Sequence, residues 1–391
     1  MKRCWLHIGM HKTGSSSVQQ NLSRIKNAAN WRLLEIGGRP NMGVALNAMF
    51  APNPATCPWF VKTGESLDQI LQKGESWRAE LRETIQNLCI ENIIISAEAL
   101  SSFSEEGVVS MKNFLEPLVD EIRVIGYVRS PAAFKISRFQ ENIKQGASTF
   151  NIGAVKPNYQ QRFEKYDRIF GRSNVVLRKF DPASFKNRCA VADFCEQIGI
   201  TFPKDIKIKR VNESLSREAG GILYAYRKFG PGYGVGPNVI KENLKLIKPL
   251  VAMSGTKFKL AKEILLPSLD RQAEDIRWME QRLGVSLEEP NQIDGTEITS
   301  EEDLLAVSRA SCLEFVKCFT DIYKMQIPAN LIPAEDPAGP ENVSKLVEFC
   351  RNLIHNNMTQ SQKTQNAPFS LKRFHRVLLK RIRRLSGLLR S

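Results

Sequence analysis

The chain has 391 residues, with 56 Lys+Arg against 41 Asp+Glu and a formal net charge of +15. Hydrophobic residues make up 42% and charged residues 25%, a globular balance that excludes global disorder. No run reaches the roughly 18 uninterrupted apolar residues of a membrane span. The apolar run before Lys12 is too short for a signal peptide, so the reading is a cytoplasmic chain or one whose signal has been removed.

Taken in chain order, residues 4–8 read as a short buried strand, 9–17 as a Gly/Ser/Thr-rich turn, and 18–25 as a helix. Residues 33–75, rich in Pro and Gly, read as loops and short elements. A helix is expected over 77–88 and a buried Ile-rich strand over 92–96. A helix over 111–119, a strand over 122–128 and a helix over 131–144 follow. Next come a helix over 159–170, a strand over 174–180 and a helix over 191–199. Strands alternating with helices indicate an α/β domain over 1–214 with a central, mainly parallel sheet. Beyond it strand signals stop. Residues 215–329 read as helical (217–228, 240–251, 269–283, 301–323), with a Gly-rich loop or lid at 230–237. Pro328, Pro333, Pro337 and Pro340 mark a linker, so 330–369 reads as linker and short helix.

Residues 370–391 carry eight of the positive charges and no acid, with apolar residues recurring at spacings of three and four. This basic amphipathic helix reads equally as a ligand for an anionic membrane surface or as a helix docked on its own domain. Nucleic acid is disfavoured, because no recognisable nucleic-acid module accompanies the tail. Eight cysteines with no CxxC spacing, and four histidines, read as reduced thiols rather than a zinc site, with Cys189–Cys195 and Cys312–Cys318 left open as disulfides.

Two segments carry chemistry. The first is His7-Ile-Gly9-Met-His11-Lys12-Thr13-Gly14-Ser15-Ser16-Ser17, a strand, a tight turn and a helix start. Backbone N–H groups converge on an anion at such a junction, and Lys12 adds a point charge. Gly9 and Gly14 have the Walker spacing, but Ser15 stands where the Walker Lys belongs. The plain alternative is a Ser/Thr-rich helix cap. The second segment is Tyr127-Val-Arg129-Ser-Pro131 running on to Ser137. Arg129 leaves the carboxyl end of a strand, where parallel sheets bind ligands, and Ser137 follows two helical turns later. A guanidinium fork with a hydroxyl suits a phosphate. The alternatives are a structural ion pair for Arg129 and an ordinary helix position for Ser137.

Together these segments resemble the sulfotransferases that use 3′-phosphoadenosine 5′-phosphosulfate (PAPS), in a form closer to the bacterial members. The resemblance covers residues 4–216 and implies a P-loop-type three-layer core. It implies that Lys12, Thr13, Gly14, Ser15, Ser16 and Ser17 hold the 5′-phosphosulfate and that Arg129 and Ser137 hold the 3′-phosphate. No metal is implied. Ser15 and Ser16 replace the commoner Thr residues. A G-x-x-G-x-x-K segment like that of the cytosolic members is missing; Arg210 and Asn212 are the candidate substitutes, although Asn212-Glu-Ser214 reads more simply as a turn and cap.

Members of the family place a His or Glu base just past a central strand. Here Glu98 follows the 92–96 strand, with a dipole-favoured carboxylate at a helix start as its alternative role. His11, inside the loop, is the rival base, and His7 reads as a core histidine. Lys12 is expected to neutralise charge on the leaving oxygen. The implied acceptor is a glycan or glycolipid, with the basic tail allowing peripheral attachment at the inner membrane face. The competing readings are a kinase-like phosphate-loop enzyme, which would need the Walker Lys and a metal-binding Asp, and a non-catalytic nucleotide-binding protein at a membrane.

Overall fold

A computed structural model describes residues 1–10, 12–209, 214–236, 238–289 and 294–365. Two expectations therefore lie outside the described residues: the rival base His11 with the substitutes Arg210 and Asn212, and the basic helix over 370–391.

The first half follows the alternating pattern. Strand β1 (Arg3–Gly9) leads into α1 (Ser15–Leu22), then β2 (Trp31–Leu33), α2 (Gly43–Phe50), α3 (Pro58–Thr63) and α4 (Leu67–Asn87). Strand β3 (Asn92–Ala97), α5 (Glu105–Leu115), β4 (Glu121–Val128), α6 (Pro131–Lys144), α7 (Tyr159–Phe170), β5 (Val175–Lys179) and α8 (Ala190–Gln197) complete it. The five strands form one parallel sheet in the order β2-β3-β1-β4-β5. The loops and short elements expected over 33–75 include α2 and α3, but the helix expected over 77–88 is corrected: α4 starts at Leu67. The start of α4 is fixed by a capping box, Ser66 accepting from the Gln69 N–H while the Gln69 side chain accepts from the Ser66 N–H.

Alternation along the strands builds three layers. Leu6, Ile8, Ile93, Ile95, Val124 and Val128 face a core shared with α2, α4, α5 and α7. Trp5, Ile94, Ile125 and Tyr127 face the other way, onto Val18 and Leu22 of α1 and Phe194 of α8. The chain leaving β1 thus goes to one face and the chain leaving β4 to the other. Divergence of neighbouring connections makes the carboxyl ends of those two strands a topological switch point, where such sheets form their ligand crevice.

The second half is helical, as expected: α9 (Arg217–Phe229), α10 (Val239–Ala252), α11 (Lys262–Asp270), α12 (Ala273–Leu283), α13 (Glu301–Leu305), α14 (Arg309–Tyr323) and α15 (Pro340–Gln365). The expected 269–283 helix is broken between α11 and α12, and the 301–323 helix is broken at 306–308, where Ser308 caps α14 through the Ser311 N–H. The short helix expected after the prolines is a 26-residue one. Its Val343, Leu346, Val347, Cys350 and Ile354 are buried against α9 and α10 in a core that also takes Phe139 and Ile143 of α6. All eight cysteines are free thiols, so neither open disulfide pairing forms. No helix among the described residues is long and apolar enough to cross a membrane.

Candidate functional site

The crevice is built from the loop after β1. Lys12 has φ 61° and Gly14 φ 79°, two left-handed residues that curl the backbone back into α1. Gly14 is required twice over: its φ is strained for any side chain, and a Cβ there would lie 2.8 Å from the Ala190 Cβ. Helix α1 starts on Gly14 without a side-chain cap, so its first turn, Ser15 to Ser17, is the kind of helix end that suits an anion. The Thr13 hydroxyl is buried and donates to the Met10 carbonyl at 2.8 Å. That side chain holds the loop's shape, and Ser15 is similarly buried.

Arg129 leaves the end of β4 and donates through Nη1 to the Lys12 carbonyl, tying the two predicted motifs together. It lies over the Phe180 ring at 5.9 Å and forms no ion pair among the described residues. Burial pushes the guanidinium below its ordinary pKa, against a weaker opposing pull from Glu289. Its Nε is buried with no hydrogen-bond partner, and the same is true of the Ser137 Oγ. Ser137 is seven residues past Ser130, the N-cap of α6, and at 100° per residue both lie on one face of that helix.

The same face continues to Glu141 and Lys144, at i+4 and i+7 from Ser137, which sequence reasoning missed. Glu141 Oε1 lies 3.0 Å from Lys12 Nζ and 3.1 Å from Lys144 Nζ. Burial raises the Glu141 pKa, but Lys144 and Lys12 outweigh it and hold the carboxyl below its ordinary value. Glu141 thus stands where an anion on Lys12 would stand. Helical periodicity counted from Ser137 was the signal that could have found it.

Glu98 opens the 3₁₀ turn Glu98–Ser102 directly after β3, at the crevice edge. The turn is anchored by the Ser101 hydroxyl, 2.8 Å from the Gly9 carbonyl. Arg138 of α6 feels both Glu98 and Glu141 electrostatically, so the predicted base and the Lys12 partner share one neighbourhood. His7 is a core residue: its Nδ1 is 2.8 Å from the Ser96 Oγ, its ring packs on Phe194, and burial lowers its pKa to about 3. The structure therefore links Lys12, Gly14 and the start of α1 with Arg129 directly, and with Glu98 and the Ser137 face through α6.

No family model and no curated protein matches the sequence. Among solved structures, the chain is similar to a sulfotransferase from Alicyclobacillus acidocaldarius, at 14% identity and a TM-score of 0.34, over 58% of this chain and 93% of that one. Likeness at that score decides neither fold nor function.

Proposed function

We propose that the protein is a sulfotransferase that moves a sulfuryl group from PAPS to a hydroxyl or amine of a glycan or glycolipid. One observation carries the reading: on Arg129 and Ser137, the two residues expected to hold the 3′-phosphate, the Nε and the Oγ are both buried polar atoms without partners. Such atoms cost roughly 1–3 kcal/mol each when left unmet, and an anion accepting from both removes that cost. The left-handed turn at Lys12 and Gly14 and the uncapped start of α1 support a second anion site for the 5′-phosphosulfate.

In this reading Lys12 leaves Glu141 and neutralises charge growing on the bridging oxygen as the S–O bond to the 5′-phosphate breaks. The acceptor oxygen forms the new S–O bond in line, and Glu98 takes its proton. The α1 amides, Arg129 and Ser137 hold the leaving adenosine 3′,5′-bisphosphate. The basic segment 370–391 supports a lipid-linked acceptor at an anionic membrane surface.

The kinase alternative is tested directly. The full chain is given either PAPS or ATP with Mg²⁺ and a mixed glycan acceptor, and nucleotide products are followed. Release of adenosine 3′,5′-bisphosphate, cut at least a hundredfold in Glu98→Gln with unchanged nucleotide binding, supports the reading. ADP release instead would sink it.

A further inference from the structure

Beside Glu98, a cleft of about 700 Å³ opens between the 3₁₀ turn and α7. Its inner wall is Ser101 and Ser102 on one side and Gln161, Arg162 and Lys165 on the other, with Phe103 as an apolar patch. We propose that this cleft is the acceptor site and that it takes an acidic saccharide, one carrying carboxylate or sulfate groups among its hydroxyls. The inference rests on the sulfotransferase reading and names the substrate class of the same site.

Ser101 lies in the same turn as Glu98 and contacts the Glu98 carbonyl at 3.2 Å, so the cleft begins about 6 Å along the turn axis from the base. Its volume is in the range of small-ligand sites. Hydroxyls and side-chain amides, which both donate and accept, line it and match the mixed demands of sugar hydroxyls.

Lys165 is 6% exposed, and its amine donates only to carbonyls, those of Ser101 at 3.3 Å and Gln161 at 3.0 Å. Arg162 donates to the Ser101 and Ser102 hydroxyls and to the Pro157 carbonyl. Neither cation forms an ion pair among the described residues. Arg168 at the mouth does, with Glu105 and Glu164. The rim, with Arg168 against Glu105 and Glu164, carries an excess of negative charge, while the inner wall holds two cations, of which Arg162 feels Asp275 of α12 at a distance and neither has a carboxylate on it. Burial pushes Lys165 down to about 8, helped by Arg162 and Arg168 and opposed by Glu105; burial also lowers Arg162 to about 10. Glu105 and Asp275 offset this only from a distance, and buried cations with no carboxylate hydrogen-bonded to them are costly; a ligand carboxylate or sulfate would supply that contact through charge-assisted hydrogen bonds.

The test titrates the full chain, saturated with adenosine 3′,5′-bisphosphate, with a tetrasaccharide carrying two uronate residues. The control is the same tetrasaccharide with its carboxylates reduced to hydroxymethyl groups. Inorganic sulfate is titrated separately. The acidic form is expected to bind at least tenfold tighter than the reduced form. Lys165→Met is expected to weaken the acidic form about tenfold and the reduced form less than twofold. Because Lys165 is buried, Gln161→Glu on the exposed wall is a second variant that leaves the core intact and predicts the same loss. Equal binding of the two saccharides, or no effect of either variant, overturns the proposal. Sulfate binding as tightly as the acidic tetrasaccharide overturns the saccharide part of it. If the wild type binds the acidic saccharide but not the bisphosphate, the donor reading fails and the cleft stands as a saccharide site. If it binds the bisphosphate alone, the cleft proposal fails by itself.

Discussion

Removing the Glu141 carboxylate, by Glu141→Gln, should tighten nucleotide binding while weakening the free protein. Glu141 is the anion that Lys12 holds at 3.0 Å. A ligand oxygen taking its place on the same ammonium would lie about 5 Å from the carboxylate, across two hydrogen bonds. At an effective dielectric near 20, two unit charges at that distance repel by roughly 3 kcal/mol. The Lys12 and Glu141 side chains are 15% and 20% exposed, so we take about half of that, near 1.5 kcal/mol, or about tenfold in Kd. Calorimetry with adenosine 3′,5′-bisphosphate reads it. The free variant should melt several degrees lower, since Lys144, 9% exposed, loses its carboxylate at a cost of about 1–3 kcal/mol. The pH signature has a fixed sign. A carboxyl held below its ordinary 4.5 adds stability that is present above that value and lost as pH falls below it towards the folded value. That acid-side loss should shrink in Glu141→Gln. Weaker bisphosphate binding by the variant would refute the reasoning and make Glu141 a residue that positions Lys12 for the ligand.

Three further outcomes are expected. Ser137→Ala should leave the melting temperature unchanged or slightly raised, because it deletes a buried hydroxyl that has no partner, while weakening the bisphosphate about fivefold; thermal denaturation and calorimetry read the two effects. Gly14→Ala should destabilise by about 2 kcal/mol or more and cost at least tenfold in bisphosphate affinity, from the φ of 79° and the 2.8 Å approach to Ala190; a normally stable variant with normal binding would contradict the loop geometry. Affinity for the acidic tetrasaccharide should fall about fivefold between pH 7 and 9, as Lys165, held down to about 8, loses its proton, and Lys165→Met should flatten that dependence.

Much of the sheet was legible because β1, β3, β4 and β5 are short apolar runs closed by turn residues. Strand β2 was not: three residues are too few for a period, and only packing buries Trp31 and Leu33. The start of α4 was masked by Gly74, which reads as a helix breaker. In the fold, a Cβ there would lie 2.4 Å from the Ala48 carbonyl, so the glycine serves the close approach of α2. At the site, Lys12 and Arg129 stood out because each sits at a strand-to-helix junction, and Ser137 because it follows Arg129 two turns into the helix that junction starts. Glu141, Lys144, Arg162 and Lys165 did not. Charges at helical spacing read as a solvated face, and only tertiary packing shows that α6 and α7 turn these charges inward.

The central claim is the pairing of Arg129 with Ser137 as a 3′-phosphate receptor. Its most direct test compares the affinities of adenosine 3′,5′-bisphosphate and AMP, which differ by that one phosphate, in the wild type and in Arg129→Ala. Loss of a buried charge-assisted fork is worth about 3 kcal/mol, so the wild type should prefer the bisphosphate by about a hundredfold and the variant should prefer it little or not at all. Equal affinity for the two nucleotides in the wild type, or a preference that survives Arg129→Ala, would contradict the account.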